Sequence, residues 1–274
     1  MSPVFDLKGR AVVVTGGGRG IGRGITRAMA KAGANVVVAG RTPEPLRAAA
    51  VEARGFGVDA IDVPADVTDP DAVASVVTRT LDEFGGVDCW VNNAGGTGPE
   101  NTSPLLELTE AQWDAVVGLN MKATFFAAQA AARAMTRGGA IVNISSRSGA
   151  QPNPMSGQYG ASKAGIDNLT ATMAVEWGHL GIRVNAVAPG PVLTEEPIAA
   201  LDRPSRRLRQ METTPLRRLG TADDIGALCV FLASDEAAWL TGEVIQINGG
   251  SRIPVGYLTY LHHVNERLGW EHEA

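Results

Sequence analysis

The sequence has few of the residues that would staple a fold or hold a metal: it contains two cysteines and four histidines in 274 residues. Cys89 and Cys229 both lie in apolar segments, so we expect two buried free thiols in a reducing compartment instead of a disulfide bond. The histidines show no metal-ligand spacing with the cysteines. We therefore expect no disulfide framework and no metal site.

The sequence also lacks long apolar runs and an excess of positive charge. No apolar stretch reaches the roughly 18 residues of a membrane span, and no basic segment followed by an apolar one marks a signal peptide. The net charge of −5 argues against nucleic acid, which is bound through a basic stripe. We expect a cytoplasmic protein with neither nucleic acid nor membrane as a partner.

What the sequence does contain is an alternation of strand-like apolar runs with helical patterns. The strand-like runs are residues 11–14, 35–39, 60–63, 87–91, 140–144, 182–187 and 244–247. Such alternation predicts the α/β class, with one Rossmann-type, doubly wound parallel sheet of about seven strands flanked by helices. A length of 274 residues, 45% of them hydrophobic, suits a single domain of this kind.

A glycine-rich turn follows the first predicted strand. Residues 15–22 read Thr-Gly-Gly-Gly-Arg-Gly-Ile-Gly, and the helical pattern after them ends at Gly33. Glycines let a backbone approach a pyrophosphate, and a helix N-terminus favours its charge. The literal G-x-G-x-x-G pattern is not met, because Ile21 stands in the place of its third glycine. The alternative is a turn that only tightens a strand-to-helix corner.

Tyr159 and Lys163 lie four residues apart, which on a helix places both side chains on one face. A free tyrosine has a pKa of about 10, and a nearby ammonium group lowers it. The pair is therefore a candidate acid/base for proton exchange near neutral pH. The alternative is a packing tyrosine at the start of a helix.

These motifs together resemble the classical short-chain dehydrogenase/reductase family, in family order and over about residues 7 to 250. The T-G-x-x-x-G-x-G motif of that family is here residues 15–22, and its N-N-A-G motif is residues 92–95. Its Y-x-x-x-K motif runs from Tyr159 to Lys163, with Ser146 thirteen residues before the tyrosine, and its P-G motif is residues 189–190. The resemblance implies a catalytic set of four residues: Asn120, Ser146, Tyr159 and Lys163.

The resemblance also implies a role for each member of this set. Tyr159 would exchange a proton with a carbonyl or alcohol oxygen while hydride moves to or from a nicotinamide. Lys163 would lower the pKa of the tyrosine and bind the nicotinamide ribose, and Ser146 would hold the substrate oxygen. Asn120 would hold a water that links Lys163 to solvent. Ser145 and Ser148 compete with Ser146. If residues 141–145 form an alternating strand, neighbouring side chains point to opposite faces, and only the serine at the family spacing from Tyr159 should meet it, which favours Ser146.

The residues at the end of the second predicted strand bear on the choice of cofactor. NAD-dependent members of the family carry Asp at a position that corresponds to Gly40, and Arg41 follows it. Arg19 lies inside the glycine turn. Guanidinium groups pair strongly with a 2′-phosphate, so we expect NADP(H) to be preferred over NAD(H). The alternative is that Arg41 is solvated and Arg19 caps the loop.

By resemblance, the cofactor also contacts the ends of the third, fourth and sixth strands. The expected cofactor-binding residues are Gly16, Gly18, Arg19, Gly20, Ile21, Gly22, Arg41, Asp66, Val67, Asn93, Ala94, Gly95, Tyr159, Lys163, Pro189, Gly190, Val192 and Thr194.

The expected activity is that of an NADP(H)-dependent oxidoreductase reducing a carbonyl to a secondary alcohol, or the reverse. The alternatives are a 3-oxoacyl thioester reductase and a non-catalytic NADP-binding sensor or scaffold. Residues 96–99 are similar to the corresponding loop of bacterial hydroxysteroid dehydrogenases. The 3-oxoacyl-carrier-protein reductases usually carry Thr-Arg-Asp after N-N-A-G, whereas this chain has Gly96-Thr97-Gly98, which counts against acyl carrier substrates.

Further segments of the chain carry expectations of their own. Residues 203–209 are rich in arginine and form either a solvated helix or loop or a substrate lid that attracts an anionic group. Capping boxes at Thr109 and Thr221 predict helix starts. We expect residues 1–250 to form the catalytic domain and 251–274 an amphipathic extension packed on it or on a subunit interface of a homotetramer.

Overall fold

The computed structural model describes residues 5–194 and 204–251, apart from the side chains of residues 205, 206 and 209. In this part of the chain the strands are β1 (Ala11–Thr15), β2 (Asn35–Gly40), β3 (Ala60–Pro64), β4 (Cys89–Asn92), β5 (Gly139–Ile144), β6 (Ile182–Pro189), β7 (Val192–Leu193), β8 (Gly220–Thr221) and β9 (Val244–Ile247). The α-helices are α1 (Gly20–Lys31), α2 (Pro43–Arg54), α3 (Pro70–Phe84), α4 (Glu110–Val117), α5 (Ala123–Ala134), α6 (Gly157–Trp177), α7 (Pro204–Glu212) and α8 (Ala222–Ala233).

The described strands form a seven-stranded parallel sheet in the order β3-β2-β1-β4-β5-β6-β9, with β7 and β8 paired separately. This confirms the predicted doubly wound α/β fold. The chain builds outward from β1 to β3, then crosses back to β4 and continues to β9. The strand order therefore reverses between β1 and β4, which is where open α/β sheets bind ligands.

The core lies on both faces of this sheet, because successive strand residues point to opposite sides. In β1, Val12 and Val14 belong to one apolar cluster and Val13 belongs to the other. Helices α1, α2 and α8 supply the helical part of the first cluster, and α3, α5 and α6 supply that of the second. A Cβ on Gly24 of α1 would collide with Ala222, so glycine permits the close approach of α1 and α8.

Local signals in the sequence are confirmed at several helix ends. Thr109 and Thr221 each accept a hydrogen bond from the backbone N–H three residues on, and the side chains of Gln112 and Asp224 reciprocate. Gly33, with φ of 92°, follows the end of α1. Strand β4 begins at Cys89, two residues later than predicted.

The sequence did not predict the π-helical turn at Gly118–Lys122, which joins α4 to α5 and holds Asn120. Such turns insert one extra residue per turn and are frequent at functional sites.

Cys89 and Cys229 are buried free thiols, as predicted. Among the described residues, no helix is long and apolar enough to cross a membrane. The expected tail helix after residue 251 lies outside the described residues.

Candidate active site

The glycine turn between β1 and α1 is shaped for close approach of a ligand backbone. Gly16 and Gly20 have φ of 63° and 51°, a region that side chains rarely adopt. A Cβ on Gly22 would overlap the Gly16 carbonyl oxygen, so this turn requires glycine at position 22. The first turn of α1 has no acidic residue, and Arg19 gives it no side-chain cap. Its N–H groups therefore fit a pyrophosphate, and the glycine turn can hold a dinucleotide.

Two side chains lock this turn to the end of β4. The Thr15 hydroxyl accepts hydrogen bonds from the backbone N–H of Asn93 (3.0 Å) and of Ala94 (3.1 Å). The amide of Asn93 donates to the carbonyl oxygens of Thr15 (3.0 Å) and Gly16 (3.2 Å). Asn93, one of the expected cofactor-binding residues, therefore uses its amide hydrogens to hold the glycine turn in place.

The expected adenosine end lies at the carboxyl ends of β2 and β3. Gly40 is buried, whereas Arg41 is exposed, so no carboxylate stands where one would repel a 2′-phosphate. Asp66 accepts hydrogen bonds from the backbone N–H (2.9 Å) and hydroxyl (2.8 Å) of Thr68, and these bonds, more than the nearby Arg41, lower the pKa of its carboxyl. Val67 follows Asp66 and packs on the second core cluster.

A cavity adjoins this end and carries both signs of charge. It has a volume of about 220 Å³ and is lined by Gly18, Arg19, Gly20, Arg23, Glu44, Pro45 and Ala48. Glu44 forms an ion pair of 3.2 Å with Arg47, which reduces the negative field it projects into the cavity.

The segment after β6 closes the opposite end of the cradle. Gly190 donates its N–H to the Ile247 carbonyl (3.0 Å), and Val192 pairs with Gly220 in the small β7–β8 ribbon. A Cβ on Gly20 would lie 3.5 Å from the Thr194 side chain, so this segment reaches back to the glycine turn. Pro189 and its neighbours therefore border the same cradle.

Ser146 and Tyr159 meet at the carboxyl end of β5. The Ser146 hydroxyl accepts a hydrogen bond from the Ser148 N–H (3.1 Å) and also bonds the Tyr159 side chain. Ser145, its neighbour in the chain, faces Asp167 instead. Both serines lie beyond the end of β5 at Ile144, and Ser146 is the one that contacts Tyr159, as predicted.

Lys163 lies one helical turn after Tyr159 and is buried. Its ammonium donates to the Ile144 carbonyl (2.8 Å) and lies 5.5 Å from the centre of the Tyr159 ring. Burial lowers the pKa of Lys163 to about 8, and the nearby Asp167 carboxylate partly opposes that shift. Slightly above physiological pH, the Lys163 amine is therefore neutral in a substantial fraction of the molecules.

The pKa of Tyr159 differs from the sequence expectation. Burial raises it above its usual value, and the hydrogen bond with Ser146 only partly opposes this. The expected lowering by Lys163 is not seen, since burial and the bond with Ser146 account for the shift of this pKa. Tyr159 is therefore a neutral phenol at neutral pH, which is the form that donates a proton.

Asn120 is fully buried and clamps the loop after β4. Its amide donates to the carbonyl oxygens of Gly96 (2.7 Å) and Val116 (2.9 Å), and its Oδ1 accepts from the Gly96 N–H (2.9 Å). A Cβ on Gly95 would lie 2.7 Å from the Asn120 Oδ1 and 3.5 Å from the Lys163 Nζ. The two side chains therefore flank the same glycine, although the amide hydrogens of Asn120 are used within the protein.

The structure adds a polar support that sequence reasoning missed. The Asn92 amide donates to the Asn143 side chain (3.0 Å), and the Asn143 amide donates to the Thr170 hydroxyl (2.9 Å). These three buried residues join β4, β5 and α6 beneath the catalytic cluster. The sequence feature that could have predicted this support is an asparagine in each of two apolar strands, where asparagine is normally depleted.

Known proteins resemble this chain along most of its length. The family described as enoyl-(acyl carrier protein) reductase matches residues 16–252. The 3-oxoacyl-[acyl-carrier-protein] reductase FabG of Staphylococcus aureus (strain N315) is 39% identical over 245 residues, covering 88% of this chain and 97% of that protein. A provisionally named short-chain alcohol dehydrogenase from Sinorhizobium meliloti 1021 is 42% identical, with a TM-score of 0.86 over 94% of this chain and 99% of that chain. A 7α-hydroxysteroid dehydrogenase complexed with NADH and 7-oxo glycochenodeoxycholic acid is 32% identical, with a TM-score of 0.85 over 90% of this chain and 95% of that chain.

Proposed function

The chain belongs to the short-chain dehydrogenase/reductase family of oxidoreductases, and from that premise we propose that it is an NADP(H)-dependent enzyme that reduces a carbonyl to a secondary alcohol or catalyses the reverse. The observation that carries the proposal is the contact of Ser146, Tyr159 and Lys163 beside a glycine turn that fits a dinucleotide. Steady-state turnover of oxosteroids, 3-oxoacyl thioesters, sugars and small ketones, with NADPH and with NADH, tests it.

Each side chain of the cluster has a defined task in this proposal. The bound nicotinamide supplies or accepts the hydride. The Tyr159 hydroxyl donates its proton to the carbonyl oxygen, and the Ser146 hydroxyl holds that oxygen as negative charge develops. Lys163, anchored on the Ile144 carbonyl, would bind the nicotinamide ribose. Asn120 fixes the backbone of Gly96 and so the wall of the site beside Lys163.

The neutral state of Tyr159 supports the reducing direction. A phenol whose pKa is raised by burial keeps its proton at neutral pH and can give it to a carbonyl oxygen. Oxidation of an alcohol needs the phenolate, so we propose that it is favoured at higher pH. The non-catalytic sensor reading has less support, since a pure binder gains nothing from a buried lysine beside a buried tyrosine.

The second candidate is a 3-oxoacyl thioester reductase. The FabG relative favours it, because that protein is named as a 3-oxoacyl-[acyl-carrier-protein] reductase and is similar over nearly its whole length. The loop at Gly96-Thr97-Gly98 counts against it, because it lacks the Thr-Arg-Asp run of such reductases. The substrate panel separates the two through the ratio of thioester to free ketone turnover.

For the cofactor we propose a preference for NADP(H), carried by Arg41 and Arg19. Changing Arg41 to Asp should lower the ratio of NADPH to NADH affinity by about tenfold or more, because it removes a cation and adds a charge that repels the 2′-phosphate. Cofactor dissociation constants, measured by fluorescence titration, check this. The control is Arg137→Gln, at an arginine whose side chain is 74% exposed on the opposite edge of the sheet. An unchanged ratio in Arg41→Asp would refute the proposed role.

We also propose a cytoplasmic homotetramer with residues 1–250 as its catalytic domain and 251–274 as an extension packed on that domain or an interface. Large apolar side chains on α4, α5 and α6 support an interface there: Trp113 is 43% exposed, Phe126 47% and Val175 83%. Light scattering should give about four times the chain mass of 28.6 kDa. A monomeric mass would contradict the proposed assembly.

A further inference from the structure

Arg147 directly follows Ser146 and opens a short 3₁₀ turn at Arg147–Gly149. Its side chain is partly buried, and its Nη1 donates to the Ser251 hydroxyl at 3.3 Å. A guanidinium group has five N–H donors in a planar fork. Among residues 5–194 and 204–251, that one hydroxyl is the only acceptor the side chain has.

Other partly buried arginines are compensated in a way that Arg147 is not. Arg27 forms ion pairs with Asp223 (2.6 Å) and Glu52 (3.4 Å). Arg183 donates to the backbone carbonyls of Leu232 (2.8 Å) and Ser234 (3.1 Å). No carboxylate of the described part of the chain lies within ion-pair distance of Arg147, and burial lowers the pKa of its guanidinium. A partly desolvated cation without an anion is costly, which is a reason to look for a ligand that supplies one.

The position of Ser251 shows where the guanidinium lies. Strand β6 is flanked by β5 and β9, and the three carboxyl ends lie at the same edge of the sheet. Arg147 comes from the loop after β5, and Ser251 comes from the loop after β9. The Arg147 side chain therefore spans the edge above the end of β6, where Gly190 borders the cradle. Ser146 contacts Tyr159 at this same carboxyl edge of the sheet.

We propose that Arg147 binds a carboxylate of the substrate, so that the preferred substrates are oxo acids and the corresponding hydroxy acids. The inference rests on the proposed carbonyl reduction and names its substrate class. A carboxylate matches the guanidinium fork and can take two parallel hydrogen bonds from it. Because Arg147 and Ser146 both lie at the carboxyl edge of the sheet, a carboxylate bound by the guanidinium would hold the carbonyl of the same molecule near Ser146 and Tyr159.

The test compares oxo acids with their methyl esters, which keep the carbonyl and lose the charge. A series of 2-oxo to 6-oxo acids and the matching esters is assayed with NADPH for wild type, Arg147→Gln, Arg147→Lys and the exposed control Arg137→Gln. We expect wild type and Arg137→Gln to favour the best acid over its ester by at least about tenfold in kcat/KM. That ratio should fall to near one in Arg147→Gln and recover partly in Arg147→Lys, while ester turnover stays within about threefold.

A binding measurement separates this inference from the proposed function. Calorimetric titration of each NADPH-loaded variant with the hydroxy acid should show at least about tenfold weaker binding to Arg147→Gln than to wild type. If no carbonyl compound is turned over, the proposed function fails, and this titration alone decides the role of Arg147. The inference is overturned if Arg147→Gln leaves the acid-to-ester ratio and the hydroxy acid affinity unchanged. If Arg147→Gln lost thermal stability but kept the wild-type acid-to-ester ratio and hydroxy acid affinity, the inference would likewise be overturned, since Arg147 would then serve the fold and not the substrate.

Discussion

Tyr159→Phe should lower the turnover of carbonyl reduction by a factor of about 10² to 10⁴ and leave NADPH affinity within about threefold of wild type. The substitution removes the hydroxyl that would donate the proton but keeps the buried ring beside Lys163. Ser146 would still hold the substrate oxygen, so substrate affinity should change less than turnover. Steady-state kinetics and cofactor titration on the same preparations measure the two effects separately.

A matched control removes a hydroxyl from the same helix. Thr172 lies on α6, is exposed, and its hydroxyl donates only to the Asn168 carbonyl one turn earlier (3.3 Å). Thr172→Val should therefore keep the wild-type rate. If Tyr159→Phe retained more than about a tenth of the wild-type turnover, proton donation by this residue would not be part of the mechanism.

Gly22→Ala should lower NADPH affinity by at least about tenfold and reduce the free energy of unfolding by roughly 1–3 kcal/mol. The added methyl group would overlap the Gly16 carbonyl oxygen and press within 2.5 Å of the Asn93 amide nitrogen. Because Asn93 holds the Gly16 carbonyl, relief of this clash moves the same backbone that would contact the pyrophosphate. Denaturant unfolding and cofactor titration measure the two losses.

Gly178→Ala is the control for this prediction. Gly178 has φ of −57° and no neighbouring atom within 4 Å of an added Cβ, so alanine fits there without strain. This variant should bind NADPH as wild type does and be at least as stable. Equal cofactor affinities for Gly22→Ala and Gly178→Ala would mean that the glycine turn is not the dinucleotide site.

The parts of the structure that depend on local pattern were predictable from the sequence. The apolar runs predicted the strands, and the spacing of Ser146 to Tyr159 distinguished it from Ser145. The capping boxes at Thr109 and Thr221 predicted the starts of α4 and α8. The position of Lys163 beside Tyr159 follows from helical spacing, because residues four apart share a face.

The parts that depend on long-range contacts were not predictable. Asn120 bonds to a residue 24 positions away, and Thr15 to residues 78 and 79 positions away, so their clamping roles need the folded chain. The pKa of Tyr159 was expected to fall, but the direction of its shift depends on burial, which residue spacing does not reveal. For Arg147, the informative feature is the lack of an anionic partner among the described residues, and this too requires the structure.

The most direct test of the central claim is deuterium transfer to a ketone or oxo acid substrate from NADPH that carries deuterium at both positions of C4 of the nicotinamide. The account predicts that deuterium appears at the carbinol carbon of the product with wild-type protein, and that the rate of its appearance falls at least about a hundredfold with Tyr159→Phe. If wild-type protein binds labelled NADPH but leaves the carbonyl compounds of the whole panel unlabelled, the chain is not the carbonyl reductase proposed here.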